Sequence, residues 1–363
     1  AMARTLNEIV KRHEVLRTVF ASEGGTPRQV ILDRLRIDIP VEDLRDIPAE
    51  ERQAAAEQRA ADEARQPFDL AEGPLLRARL LKMDEDEYYA LLTMHHIVSD
   101  GWSMGVLLNE LAALYASIHR KQPSPLDALA IQYADFAAWQ EEVLSGELLE
   151  SQMAYWREKL QGCSPMLDLM TDYPRPAVQT SRGDTYDFRL PAGIAEKLQA
   201  FCRDKEVTLY MVLLAALEAL LYRYTGQEDF NIGTVIANRN HKDIEDLIGF
   251  FVNTLVMRGQ LYGEMPFSDL VSNVQKTALE AYAHQDLPFE MLVDELQPQR
   301  DLSHTPLFQV LFVLEDAVLG RVELPDMTIE TVPTHSGAST FDLTLAMFNK
   351  PDEVGGYFEY NTD

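Results

Sequence analysis

Two cysteines among 363 residues, Cys163 and Cys202, form no spaced framework, so this is not a disulfide scaffold and it suits a reducing compartment. No apolar run is long enough to cross a bilayer, and no basic start followed by an apolar stretch marks a leader. Basic residues are scarce: 32 Lys and Arg stand against 59 Asp and Glu, a formal net charge of −27. A phosphate backbone is gripped by basic contacts, so this balance argues against nucleic acid as a ligand. An acidic protein partner would need a local patch, because the overall field repels it. These absences lead to the expectation of a cytoplasmic protein that binds neither nucleic acid nor membrane. Histidines at ligand spacing are also missing: His13, His119, His241, His284, His304 and His335 are scattered singly.

What is present is enough apolar material, 46% of the chain, to bury two cores of ordinary size, which excludes disorder. The stretch richest in chemistry is Met94-His95-His96-Ile97-Val98-Ser99-Asp100-Gly101-Trp102. It follows an apolar, aromatic run, Glu87 to Thr93, that reads as a strand. It precedes Met104 to Ala116, where Leu107, Leu108, Leu111 and Leu114 recur at helical spacing. Loops at such junctions are where rigid scaffolds present reactive side chains. Three readings compete there: a core histidine pair with a helix-capping Asp100, a metal site through His96 and Asp100, or acyl transfer with His96 as base or amine-positioning group. Zinc usually takes at least three protein ligands, and two make a poor site. Gly101-Trp102-Ser103-Met104-Gly105 also fits the nucleophile-elbow pattern, which would make Ser103 a serine-hydrolase nucleophile; no local feature picks out its partners.

The chain opens inside a helical pattern, Ala3 to Glu14, with no capping residue upstream, so a missing front is expected. Leu16 to Phe20 and Arg28 to Leu32 read as a hairpin, Pro48 to Gln66 as a solvated surface helix, and Leu75 to Met83 as the strand paired with Glu87 to Met94. Helices follow over 131–144 and 148–160; the former carries Tyr133, Phe136 and Trp139 at three-residue spacing, which reads as core. A boundary is expected at the proline-rich stretch from Asp172 to Gly183. Beyond it come strands over 185–190, 230–237, 250–258, 308–314, 341–348 and 354–360, with helices over 208–224, 266–284 and 289–296. The helix at Thr208 to Tyr224 is apolar nearly all round and should be buried. The last strand reaches almost to Asp363, where a domain seldom ends, so a missing end is expected too. One α/β plan used twice describes both halves.

These residues spell a family. The chain resembles the condensation domains of nonribosomal peptide synthetases, whose HHxxxDG pattern is matched by His95 to Gly101. Arg12 to Phe20 resembles the family's RHExLRTxF block, Tyr133 to Trp139 its YxDFAxW block and Ile248 to Thr254 its IGxFVNT block. His284 to Glu290 and Arg300 to Leu307 match two later ones. Six blocks in order are far more specific than HHxxxDG alone. The departures are an absent first block and last helical segment, valine in Thr234 to Arg239 where proline is common, and Thr340 where many relatives carry lysine.

The resemblance implies an α/β (α+β sandwich) fold: two chloramphenicol-acetyltransferase-like lobes, residues 1–172 and 173–363, forming a V-shaped pseudo-dimer. It implies an acyltransferase-type enzyme of secondary-metabolite and antibiotic biosynthesis. Such a domain forms a peptide bond between a donor acyl or peptidyl thioester and an acceptor aminoacyl thioester. Upstream and downstream peptidyl carrier proteins bring both on 4'-phosphopantetheine, and an adenylation domain adjoins in the larger synthetase. No cofactor or metal is bound by the domain itself. The sequence around the motif is most similar to domains joining two L-configured residues. His96 is the candidate that orients the amine and handles its proton, and His95 is packed beside it. Asp100 holds the loop by pairing with Arg12 or Arg17, Gly101 supplies a backbone shape or close approach that a side chain would block, and Trp102 supports the site. Asn253 is a candidate for hydrogen bonding along the tunnel. The alternatives are a carrier-docking module without catalysis, an epimerisation-type relative, and the hydrolase through Ser103.

Overall fold

The computed structural model describes residues 1–164, 166–191, 193–296, 301–315, 321–332, 337–350 and 353–363. Arg300, at the head of one matched block, and His335 lie outside the described residues. Two compact units emerge. The first comprises Ala1–Val143 and Arg239–Val252 with the described part of Leu319–Ser336; the second comprises the described parts of Leu144–Asn238, Asn253–Val318 and Gly337–Asp363. This differs from a single break between residues 172 and 173. Apolar burial accounts for the difference: Ile248 and Leu324 sit in the first unit's core, with Val322, Met327 and Ile329 packed against it.

In the first unit, helix α1 (Met2–Arg12) buries Leu6, Ile9 and Val10, the face that its helical spacing marks as apolar. A single 3-10 turn over Glu14–Arg17 leads into hairpin β1 (Thr18–Glu23) and β2 (Thr26–Ile31). Strand β3 (Val41–Asp43) and helix α2 (Ala49–Arg65) come next. Strands β4 (Leu76–Lys82) and β5 (Tyr88–Met94) pair antiparallel with Leu76 opposite Met94, and β3 lies parallel on β4. Helices α3 (Gly101–His119) and α4 (Tyr133–Val143) complete this run, with Leu107 and Leu111 of α3 buried in the same core as α1. At three residues, β3 is too short for alternation to mark it in the sequence.

The second unit begins with α5 (Gly146–Leu160), β6 (Gly183–Arg189), α6 (Ile194–Lys205), α7 (Leu209–Thr225) and β7 (Asp229–Ile236). After the short helix α8 (Lys242–Glu245), which belongs to the first unit, come β8 (Asn253–Gln260), α9 (Phe267–Ala283), α10 (Phe289–Leu296) and β9 (Val310–Glu315). The small hairpin β10 (Val322–Leu324) and β11 (Met327–Ile329) returns to the first unit, and β12 (Leu343–Lys350) and β13 (Glu353–Asn361) finish the second. Its six-stranded sheet runs β6-β13-β12-β9-β7-β8, with β9 parallel to β12 and β7 and the other pairs antiparallel. The all-round apolar α7 is buried as its composition requires; Thr208 Oγ1 accepts from Met211 N–H at its start, and Gly226 ends it at φ +70°, where a side chain would be strained. Its Leu214 joins Phe230, Ile232, Val256 and Phe312 in the core, each side chain contributing about 1.5–3 kcal/mol by leaving water. Helix α6 carries Ile194, Ala195, Leu198, Phe201 and Cys202 at helical spacing; Ala195, Leu198, Phe201 and Cys202 pack half-buried against this core, and none of its residues is fully buried.

Candidate active site

Strand β5 delivers the histidine loop. His95 N–H donates to Leu75 O at 3.0 Å, so the chain leaves the sheet beside the start of β4. A 3-10 turn then spans His96–Val98, and Ile97 N–H donates to His95 Nδ1 at 3.1 Å. An accepting Nδ1 puts the ring proton of His95 on Nε2. The ring stands edge-on to Phe68 at 5.8 Å, so His95 caps and packs.

His96 points differently. Its Nδ1 lies 2.6 Å from Ser99 O, and a carbonyl oxygen only accepts, so Nδ1 carries the proton. In the neutral ring Nε2 then holds the lone pair, and among the described residues nothing bonds to it. The residue is exposed, and its ring meets the Phe250 ring edge-to-face at 5.0 Å. A neutral imidazole with one nitrogen tied to the backbone and the other open to solvent is an oriented base.

Asp100 caps α3, and its side chain is wholly buried. Oδ1 accepts from Ser103 N–H at 2.8 Å, from Ser103 Oγ–H at 2.7 Å and from Arg239 Nη2 at 3.2 Å. Oδ2 accepts from Phe251 N–H at 3.0 Å. Arg239 is buried as well: its Nη1 donates to Ile244 O and Leu247 O at 2.5 and 2.7 Å, and its guanidinium lies 4.0 Å from the Phe251 ring centre. Burial pulls the Arg239 guanidinium below the ordinary arginine value while Asp100 pulls it back; arginine stays charged in proteins, so this is a desolvated ion pair. Tyr133 OH donates to Phe250 O at 2.9 Å; burial, then the nearby Asp100 charge, pushes its phenol up to about 12, so it remains a donor. The chain passes Tyr133 closely at Gly249, where a Cβ would stand 2.3 Å from the ring.

A family model described as Condensation domain matches residues 1–363. The chain belongs to the condensation-domain family of nonribosomal peptide synthetases. One of the linear gramicidin synthase proteins of Brevibacillus parabrevis is 48% identical over 367 aligned residues, covering all of this chain and 5% of that protein. The X-domain from teicoplanin biosynthesis is similar in structure at a TM-score of 0.88 and 30% identity, over all of this chain and 82% of the other. The condensation domain from the monacolin K polyketide synthase MokA shares the fold at 0.84 and 23% identity, over 99% of this chain and 83% of the other. The mixed α/β architecture is thus the chloramphenicol-acetyltransferase-like fold expected from the blocks. The domain spans only 5–7% of the length of the linear gramicidin synthase proteins that it matches.

Several site expectations change in this condensation domain. Neither Arg12 nor Arg17 reaches Asp100. Arg12 donates to Glu110 Oε1 at 2.7 Å and to Asp127 O, and Arg17 to Leu32 O at 2.5 Å and Glu14 Oε1 at 3.1 Å. The partner is Arg239, 139 residues from Asp100 in sequence, which no local pattern ties to the motif. The nearest signal in the sequence is Thr234 to Arg239, which stands out only for its valine. Gly101 needs no special backbone: its φ is ordinary, and a Cβ there would meet nothing within 4 Å. Trp102 is 45% exposed, donates from Nε1 to Glu245 O at 2.9 Å and lies 5.9 Å from the Arg239 guanidinium. Asn253 is spent inside the second unit, since Nδ2 donates to Gln285 O and Leu287 O and Oδ1 accepts from Thr254 and Phe289 N–H. It has no free amide for a substrate. Ser103 is fully buried; its Oγ contacts Asp100, Arg239 and Gly249 but no histidine, so the elbow pattern there is not a nucleophile. Among the described residues no group of three or more His, Cys, Asp or Glu could hold a metal ion, and no single helix is long and apolar enough to cross a membrane.

Proposed function

We propose that this condensation domain joins a donor acyl or peptidyl thioester to the amine of an acceptor aminoacyl thioester, with both substrates brought on phosphopantetheine arms by carrier proteins. The observation that carries the proposal is the His96 ring, tied at Nδ1 to Ser99 O and open at Nε2. A thioester is already activated, so the task is to hold a neutral amine in attacking geometry. An α-amino group with a pKa of about 7.7–8.0 is partly neutral near pH 7 without help. The amine nitrogen forms the new C–N bond to the thioester carbonyl carbon, giving a tetrahedral species. His96 Nε2 accepts the proton that the nitrogen must lose. Collapse breaks the C–S bond, and the departing sulfur receives a proton as the thiol. Asp100 and Arg239 fix the loop and do not touch the reacting atoms.

The wording around the motif supports an L-configured donor, and the relatives' lengths support a larger synthetase with an adenylation domain beside this one. No metal or bound cofactor is required in this scheme. To test it, one carrier is loaded with an L-aminoacyl thioester and a second with an L-amino acid, and transfer is followed by intact-protein mass spectrometry. Transfer lost in His96→Ala is the expected result. Transfer near the natural rate in that variant would remove His96 from the chemistry, and none in the natural protein, with carriers still bound, would favour a docking module.

A further inference from the structure

Residues 248–251 lie in no helix or strand, yet each is held by a different side chain. Ile248 N–H donates to His13 Nδ1 at 3.3 Å, Gly249 N–H to Ser103 Oγ at 3.0 Å, and Phe251 N–H to Asp100 Oδ2 at 3.0 Å, while Phe250 O accepts from Tyr133. Buried backbone groups outside a ladder need such partners. Their combined product is the position of Phe250, whose ring meets that of His96 edge-to-face at 5.0 Å. Asp100 and Ser103 belong to the motif, but His13 stands at the end of α1 and Tyr133 at the start of α4.

We propose that His13 and Tyr133 are positioning residues for His96, acting through Phe250. His13 is 1% exposed, and because its Nδ1 accepts, its proton sits on Nε2 and is donated to Glu110 Oε2 at 2.8 Å. Glu110 is fixed in turn by Arg12. Burial favours a protonated Glu110, but the hydrogen bond from His13 and then the bond and charge of Arg12 outweigh it and hold the carboxyl below the ordinary range. The imidazole is therefore clamped from one side and aims a lone pair at Ile248 on the other. Tyr133 fixes the carbonyl two residues along, and Gly249 between them has no room to shift toward Tyr133. The two side chains thus limit how far the Phe250 ring can move away from His96.

Two replacements of His13 separate its bonds. Glutamine puts an amide nitrogen near the Nε2 position and keeps the bond to Glu110, whereas asparagine puts an amide oxygen near Nδ1 and keeps the acceptor for Ile248. One readout is the NMR spectrum of the labelled His96 ring, which reports its tautomer and the Phe250 ring nearby. The other is kcat and KM for transfer, which rests on the proposed reaction as the first does not. His13→Gln should move the His96 signals and lower kcat by about tenfold to a hundredfold with KM little changed. His13→Asn should rescue most of that loss, and Tyr133→Phe, a mild replacement that decides the matter if the glutamine variant does not fold, should act in the same direction. Unmoved His96 signals in the folded variants, or asparagine no better than glutamine, would overturn the proposal. Moved signals in a protein with no transfer would uphold the positioning and sink the reaction.

Discussion

Asp100→Asn removes the charge of the buried pair while keeping the helix cap. Asparagine caps a helix about as well as aspartate, so Ser103 N–H, now at 2.8 Å from Oδ1, keeps an acceptor. Two things are lost. Arg239, whose side chain is 1% exposed, faces no counter-charge, and an NH2 group replaces Oδ2 opposite Phe251 N–H, donor against donor. Removing one partner of a buried pair costs about 3–5 kcal/mol, and the unmade bond overlaps with that figure because neighbouring terms do not add. Hydrogen exchange at peptides covering Ser103 and Phe251 reads the stability of this unit directly. Protection there should fall by about 3–5 kcal/mol, with a matching loss of soluble protein. Adding Arg239→Met removes the stranded charge and should restore at least half of the loss. A soluble Asp100→Asn protein within about 1 kcal/mol of the natural one, and no better with Arg239→Met, would refute the reasoning.

Gly249→Ala should cost soluble yield, because its Cβ would clash with Tyr133, whereas Gly101→Ala should leave the melting transition unchanged or slightly raised; the reverse order would contradict the packing. A serine-directed fluorophosphonate should leave Ser103 unmodified, and labelling lost in Ser103→Ala would restore the hydrolase reading. Glu218 gives a pH signature: burial pushes its carboxyl from 4.5 up to about 8, so the folded state holds the proton more tightly than the unfolded one. Its contribution is complete below about pH 4.5 and is lost as pH rises toward 8, at most about 1.4 kcal/mol per pH unit. Glu218→Gln should therefore match the natural protein in urea at pH 4.5 and exceed it at pH 8; an equal offset at both would rule out titration as the cause.

Local periodicity carried most of the fold. The β4–β5 pair, the all-apolar α7 and the strand-to-helix setting of the histidine loop follow from residues within a few turns of one another. Even so, α3 starts at Gly101 and not Met104, because Asp100 supplies the cap ahead of the first leucine. What could not be read was long-range. Arg239 meets Asp100 only because 239–252 folds back into the first unit, and Asn253, beside that segment, goes to the other unit and caps α10 there. Ser103 shows the opposite failure: a motif legible in one dimension lost its meaning once burial surrounded its hydroxyl with other partners.

The return of 239–252 to the first unit bears on how such domains can be recombined. A chimera spliced anywhere between Asp100 and Arg239 takes the two ends of the ion pair from different parents, and with them both sides of the His13–Ile248 and Asp100–Phe251 bonds. Crossovers placed before α1, or after Val252, inherit the whole set from one parent. Breakpoints tolerated in shuffled libraries should therefore thin out across 100–239, even in loops that are themselves exposed.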